Sequence, residues 1–170
     1  QSWKESNPVW ISNSNLLKNE IPDYTKATKE ELKIWKTRQG VPGFNREING
    51  ETNPYELGLG DIIKLDKGCY LGQEAIARFS RSKSLKYQLR YWEAYVEDNN
   101  FAIGENFMST IQNNELKKKV GVITSSIKIT DNFLCGLALI KNNFINKEIC
   151  FSEKDEFITI KKPISFIQTF

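Results

Sequence analysis

The apolar positions of this chain follow two rhythms. In TKEELKIWKTRQG, residues 28–40, Leu32 and Trp35 fall three apart with Ile34 beside them, the spacing of one helix face. Thr28 followed by Glu31 is a capping box, in which each side chain bonds a backbone donor left free at the helix start. Gly40 suits the left-handed residue that ends a helix, and Pro42 blocks continuation. The pattern predicts a helix that presents Leu32 and Trp35 to a core. A second helical stretch, QEAIARFS from Gln73, sets Ile76 and Phe79 three apart, with Glu74 in its first turn.

From residue 85 the period becomes two. Leu85, Tyr87, Leu89 and Tyr91 alternate with polar neighbours, which predicts a strand. Trp92, Ala94 and Val96 continue on the opposite parity, which predicts a bulge or a strongly bent strand. Further strands are expected around 101–111, 119–130, 133–141, 147–151 and 156–162, a spacing that suits a sandwich or barrel. A boundary falls near 81–85, between residues 1–84 and a β-rich part at 85–170. The fold class expected is α+β. Residues 1–24 are irregular apart from a short strand expected at WIS, 10–12. Residues 40–61 are rich in Gly and Pro, with a turn of helix expected at PYEL after Asn53. IIKL at 62–65 reads as a short apolar element.

Composition narrows the chemistry. The 170 residues, 39% hydrophobic and 26% charged, are enough to bury a core. A formal net charge of +3 is too mild to imply nucleic acid. No apolar run reaches the roughly 20 residues of a membrane span, and the start has no signal-peptide pattern. The first residue is Gln and the only methionine is Met108, so the sequence reads as a processed product or a piece of a longer chain. There is no histidine, which removes any cysteine–histidine dyad and the commonest general base. The three cysteines, at 69, 135 and 150, form no CxxC pair, so no metal site is expected and a reducing, cytoplasmic setting is. Cys135 and Cys150 sit in apolar strand patterns and read as core.

Cys69 differs. In KGCYLGQEAIAR, residues 67–78, it lies just before a helix N-terminus, whose partial positive charge favours thiolate. Lys67 and Arg78 add positive potential, and Gly68 and Gly72 allow tight turns and close approach by a ligand. Gln73 and Glu74 offer amide and carboxylate groups to a heterocycle edge or to the loop itself. The plainer alternative is a small apolar side chain filling space. Nearby, Arg78, Arg81, Lys83, Lys86 and Arg90 read as one basic face, either solvated or an anion site. Tyr87, Tyr91 and Trp92 are interleaved with it, but strand alternation accounts for them better than base stacking does.

The same segment resembles the signature of the YgfZ family, relatives of the glycine-cleavage T-protein. Lys67, Gly68, Cys69, Tyr70, Gly72, Gln73, Glu74, Ala77 and Arg78 match it. TRQGVP at 37–42 and NPYELGL at 53–59 resemble the flanking elements, and VGVITSS at 120–126 and CGLALIK at 135–141 resemble the family's last domain. The resemblance implies that residues 1–84 end a mixed α/β folate-binding domain and that 85–170 form an antiparallel β-barrel. It implies tetrahydrofolate as cofactor, with Cys69 as the reactive residue and Lys67, Gly68, Tyr70, Gly72, Gln73, Glu74 and Arg78 around it. It also implies a role in assembly or repair of iron–sulfur client proteins, including tRNA-modifying enzymes, without direct contact to nucleic acid or membrane. Whether such a protein is itself an enzyme stays open. The alternative is a folate-dependent aminomethyltransferase of the T-protein type. Against it, Arg38 stands where T-protein relatives carry a glutamate able to pair with the pterin edge.

Overall fold

The computed structural model describes residues 27–82, 85–96, 101, 103–111, 114–146, 149–151 and 156–167. The strand expected at 10–12 lies outside them. Helix α1 spans Lys29–Gln39, and Thr28 and Glu31 cap it reciprocally. Gly40 ends it with φ +76°, and its amide donates to the carbonyls of Lys36 and Thr37. A turn covers residues 54–58 and a short 3-10 helix Gly60–Ile62. Helix α2 spans Gln73–Ser82. Six strands follow: β1, Tyr87–Tyr95; β2, Asn106–Ile111; β3, Asn114–Thr130; β4, Phe133–Lys141; β5, Ile149–Phe151; and β6, Phe157–Lys161.

All six pair antiparallel in the ring order β1-β4-β3-β2-β5-β6, and β1–β6 pairing closes it. The mixture of two helices and an antiparallel barrel is the α+β class the sequence predicts. Strand β4 is paired along both edges, to β1 and to β3. The barrel interior holds Trp92, Ala94 and Val96 of β1 against Phe101, Phe107, Val120, Ile123, Ala138 and Ile140. The edges of Phe101 and Phe107 meet the Trp92 ring at centroid distances of 5.3 and 5.9 Å.

The bulge expected in β1 is not there. Its register against β4 runs unbroken from Tyr87↔Lys141 to Tyr95↔Phe133. The parity change arises because both faces are covered. Even positions from Trp92 onward face the barrel core, while Leu89 packs outward with Leu57, Leu137 and Phe166. At the mouth, the even positions are Gln88 and Arg90, and these two polar residues hide the true alternation. The register shifts lie instead in β2 and in β3, between Ile123 and Ser125 and again between Lys128 and Thr130. At the first β3 shift, the Ser125 carbonyl accepts from the Trp92 indole at 3.2 Å, and the Ser125 hydroxyl accepts from the Leu137 amide at 2.9 Å. The side chain thus supplies the acceptor the bulged backbone gives up.

The outer face of β1 and β4 is covered by the rest of the chain. The Leu89 amide donates to the Glu56 carbonyl at 2.7 Å, and the Lys86 and Tyr87 amides donate to the Glu56 carboxylate at 3.0 and 2.9 Å. The amides of Ile164 and Ser165 donate to the carbonyls of Arg38 and Gln39, which docks the C-terminal segment against the end of α1. The helix does not present Leu32 to the core as its spacing predicts. Leu32 is 44% exposed and lines an open cleft with Val41, Pro42 and Phe44. The fully buried residues of α1 are polar, Thr37 and Gln39, and its apolar contact with the barrel is Ile34, partly buried against Tyr91, Ile127 and Cys135. The Gln39 amide oxygen accepts from the Ser165 hydroxyl, which removes most of the cost of that burial.

Candidate functional site

The KGCYLGQE segment forms a loop that leads into α2. It is held by its own polar groups. The Gln73 side-chain amide donates to the Leu65 carbonyl at 2.9 Å, and the Gln73 backbone amide to the Tyr70 carbonyl at 3.2 Å. The Tyr70 hydroxyl reaches the Lys64 carbonyl at 3.4 Å. Gly72 sits at φ +84°, a left-handed conformation that side chains with a Cβ adopt at a cost, and its carbonyl accepts from the Ile76 amide in the first turn of α2. Gly68 does not share that conformation, so the turn expected there is not what requires glycine. Space around both glycines is open.

This scaffold presents Cys69 to solvent, four residues before α2 begins. The plainer expectation, a thiol packed in a core, is therefore wrong for Cys69. Lys67 lies over the Tyr70 ring, its ammonium 4.6 Å from the centroid. Leu71, beside the thiol, is fully exposed. Glu74 and Arg78 are exposed on α2 and line an open hollow with Gln73, Ala77 and Arg81. A thiol so exposed can act as a nucleophile or as one ligand of a group held jointly with another protein. Among the described residues, no three Cys, Asp or Glu side chains gather as a metal site.

The single basic face read from the sequence does not form. Lys83 lies outside the described residues. Arg90 is 5% exposed, bonded through its guanidinium to the Gln88 side chain, and belongs to the barrel mouth. Lys86 lies over its neighbour Tyr87, 5.4 Å from the ring centroid. Strand alternation turns Arg90 inward, which the count of basic residues could not show.

A second group of chemistry-bearing residues escaped the sequence reading. On the outer face of the barrel, Tyr91 and Cys135 bond each other beside Arg38. Glu93 stands opposite Cys135 in the β1–β4 register and pairs with Lys161 of β6. Burial pushes the Cys135 thiol up, against the Tyr91 and Arg38 contacts that pull it down. Burial, with the Cys135 thiol close by, also raises the Tyr91 phenol well above its ordinary value. Both groups are thus held neutral at physiological pH. The only sequence signal was the alternation that puts odd residues of β1 on one face; the partners come from the registers Glu93↔Cys135 and Tyr91↔Lys161, far apart in the chain.

These settings give the two described thiols opposite reactivity. Under native conditions, iodoacetamide is expected to label Cys69 and to leave Cys135, at 0% exposure, unmodified until the barrel is unfolded. Peptide-level mass spectrometry distinguishes the two. Equal labelling of both in the folded protein would contradict the burial of Cys135.

No family model matches the chain. It is 25% identical over 124 residues to the tRNA-modifying protein YgfZ of Aliivibrio fischeri (strain MJ11), covering 70% of this chain and 38% of that protein. It is 45% identical over 60 residues to a chloroplastic protein of Arabidopsis thaliana named as a transferase, covering 35% of this chain and 13% of that one. It is 46% identical over 37 residues to an aminomethyltransferase of Herpetosiphon aurantiacus, covering 22% and 10%. The chain thus spans less than half the length of these relatives. It is a distant relative of YgfZ-type proteins and aminomethyltransferases. No helix among the described residues is long and apolar enough to cross a membrane.

Proposed function

We propose that this chain is part of a tetrahydrofolate-binding accessory protein that supports assembly or repair of iron–sulfur proteins, with Cys69 as its working thiol. The observation that carries the reading is the KGCYLGQE segment, matched residue by residue to the YgfZ signature and displayed on an exposed loop. The distant similarity to a YgfZ protein supports it. In this reading Lys67 and Arg78 supply positive potential, Gln73 and Gly72 hold the loop, and Tyr70 and Glu74 flank the ligand. Gly68 leaves room for close approach. Residues 1–84 close a larger folate-binding domain, and the barrel at 85–170 supports it. The clients are iron–sulfur proteins, tRNA-modifying enzymes among them.

Titration of the full-length protein with tetrahydrofolate, followed by calorimetry, tests the cofactor. Saturable binding at one site per chain is expected, retained in Cys69→Ala because the thiol serves chemistry rather than affinity. No heat of binding in the parent protein would remove the folate reading.

The aminomethyltransferase similarity favours a second reading, transfer of an aminomethyl unit to tetrahydrofolate. Arg38 weighs against it. Its guanidinium bonds the Tyr91 hydroxyl, and a cation there cannot replace a carboxylate that accepts from a pterin edge. Turnover of a lipoyl-bound aminomethyl donor by the full-length protein would establish this second reading and displace the first.

A further inference from the structure

The barrel mouth contains a buried cation with no carboxylate partner among the described residues. Arg90 is 5% exposed. Burial brings its pKa down to about 10, so it is still charged at neutral pH. A guanidinium carries five N–H donors. Described residues take two of them: the Leu89 carbonyl at 3.0 Å and the Gln88 side-chain oxygen at 2.8 Å. Gln88 is itself fixed, donating to the Asn142 side chain at 2.6 Å. The centroid of the Phe166 ring lies 5.0 Å from the Arg90 guanidinium carbon and 6.0 Å from the Lys162 ammonium, so two cations contact one aromatic ring. No carboxylate pairs with Arg90 among the described residues.

Arg90 lines an open hollow with Lys161, Lys162, Asn146 and Thr159, and Ile145 and Ile160 complete its wall. Among the described residues, the lining holds three cations and no acid. Glu93 neutralises Lys161 from outside the hollow. No described carboxylate compensates Arg90 or Lys162 there. A desolvated charge without a counter-charge costs stability, and an anion entering the hollow relieves that cost. Charge-assisted bonds from a guanidinium suit a carboxylate, and the two isoleucines suit an aliphatic chain attached to it.

We propose that the hollow at the barrel mouth is a binding site for an aliphatic carboxylate, held by Arg90 and Lys162. The hollow shares no lining residue with the Cys69 loop, and the proposal does not depend on folate binding. Glutarate is the probe, glutaramide the uncharged control and inorganic phosphate the competing anion, each titrated into the full-length chain at fixed ionic strength. Glutarate is expected to bind saturably and to raise the melting temperature, and glutaramide to do neither. Lys162→Ala, an exposed position, is expected to fold normally and weaken glutarate binding about three- to five-fold, and sodium chloride to weaken it in the parent. Arg90→Gln is expected to abolish binding; if it fails to fold, Lys162→Ala decides. Glutarate acting no differently from glutaramide overturns the site. So does a Lys162→Ala protein that binds as tightly as the parent. Binding of phosphate without glutarate overturns the carboxylate class.

Discussion

Gly136→Ala is expected to destabilise the barrel by roughly 3 kcal/mol or more, lowering the thermal midpoint by about 6–12 °C. A Cβ at this position would stand 1.8 Å from the Ser125 carbonyl oxygen and 2.6 Å from the Trp92 indole nitrogen. Neither neighbour can retreat. The Ser125 carbonyl accepts the indole N–H, and the same N–H also reaches the Leu137 carbonyl, both at 3.2 Å. The Trp92 ring is itself fully buried between Phe101 and Phe107. An added methyl must therefore part β3 from β4 or expel the indole, and either leaves buried polar groups without partners. Circular dichroism melts check this. A midpoint within about 2 °C of the parent would show that the β3 bulge yields more readily than its hydrogen bonds suggest.

Cys69→Ala is expected to abolish complementation in a strain whose iron–sulfur enzymes fail for want of this protein, while its melting curve stays that of the parent. The thiol is exposed, so its removal leaves no cavity. Cys135→Ala is the converse. It removes a fully buried sulfur bonded to Tyr91, and is expected to cost about 1–3 kcal/mol while retaining complementation. Full activity of Cys69→Ala would end the proposal that this sulfur does chemistry. Loss of activity with a matching loss of stability would reduce it to a structural role.

Local signals carried most of what the sequence revealed. The Thr28–Glu31 box and Gly40 bound α1 correctly because caps depend on residues three or four apart. The expected strand at 133–141 coincides with β4, whose turn and pattern are likewise local. Legibility ended where a residue's role depends on a distant segment. Leu32 matches a core pattern, yet α1 meets the barrel through Ile34 and its last turn, which leaves Leu32 in the open cleft. Arg90 counts as a basic residue, yet its surroundings come from Asn142 and Phe166, far along the chain. The Cys69 loop was legible as a motif. Its internal bonds, Gln73 to Leu65 above all, were not, since an amide side chain has several partners within reach.

The ring closure of the barrel bears on how the chain folds. Strands β3 and β4 are joined by the two-residue turn Asp131–Asn132, so their ladder can zip up with little loss of chain entropy. Joining β1 to β6 must instead bring Tyr91 to Lys161, a loop of about 70 residues. Such non-local pairing slows assembly, so the hairpin is expected to form early and the seam last. Weakening the seam should then accelerate unfolding while leaving the refolding rate nearly unchanged.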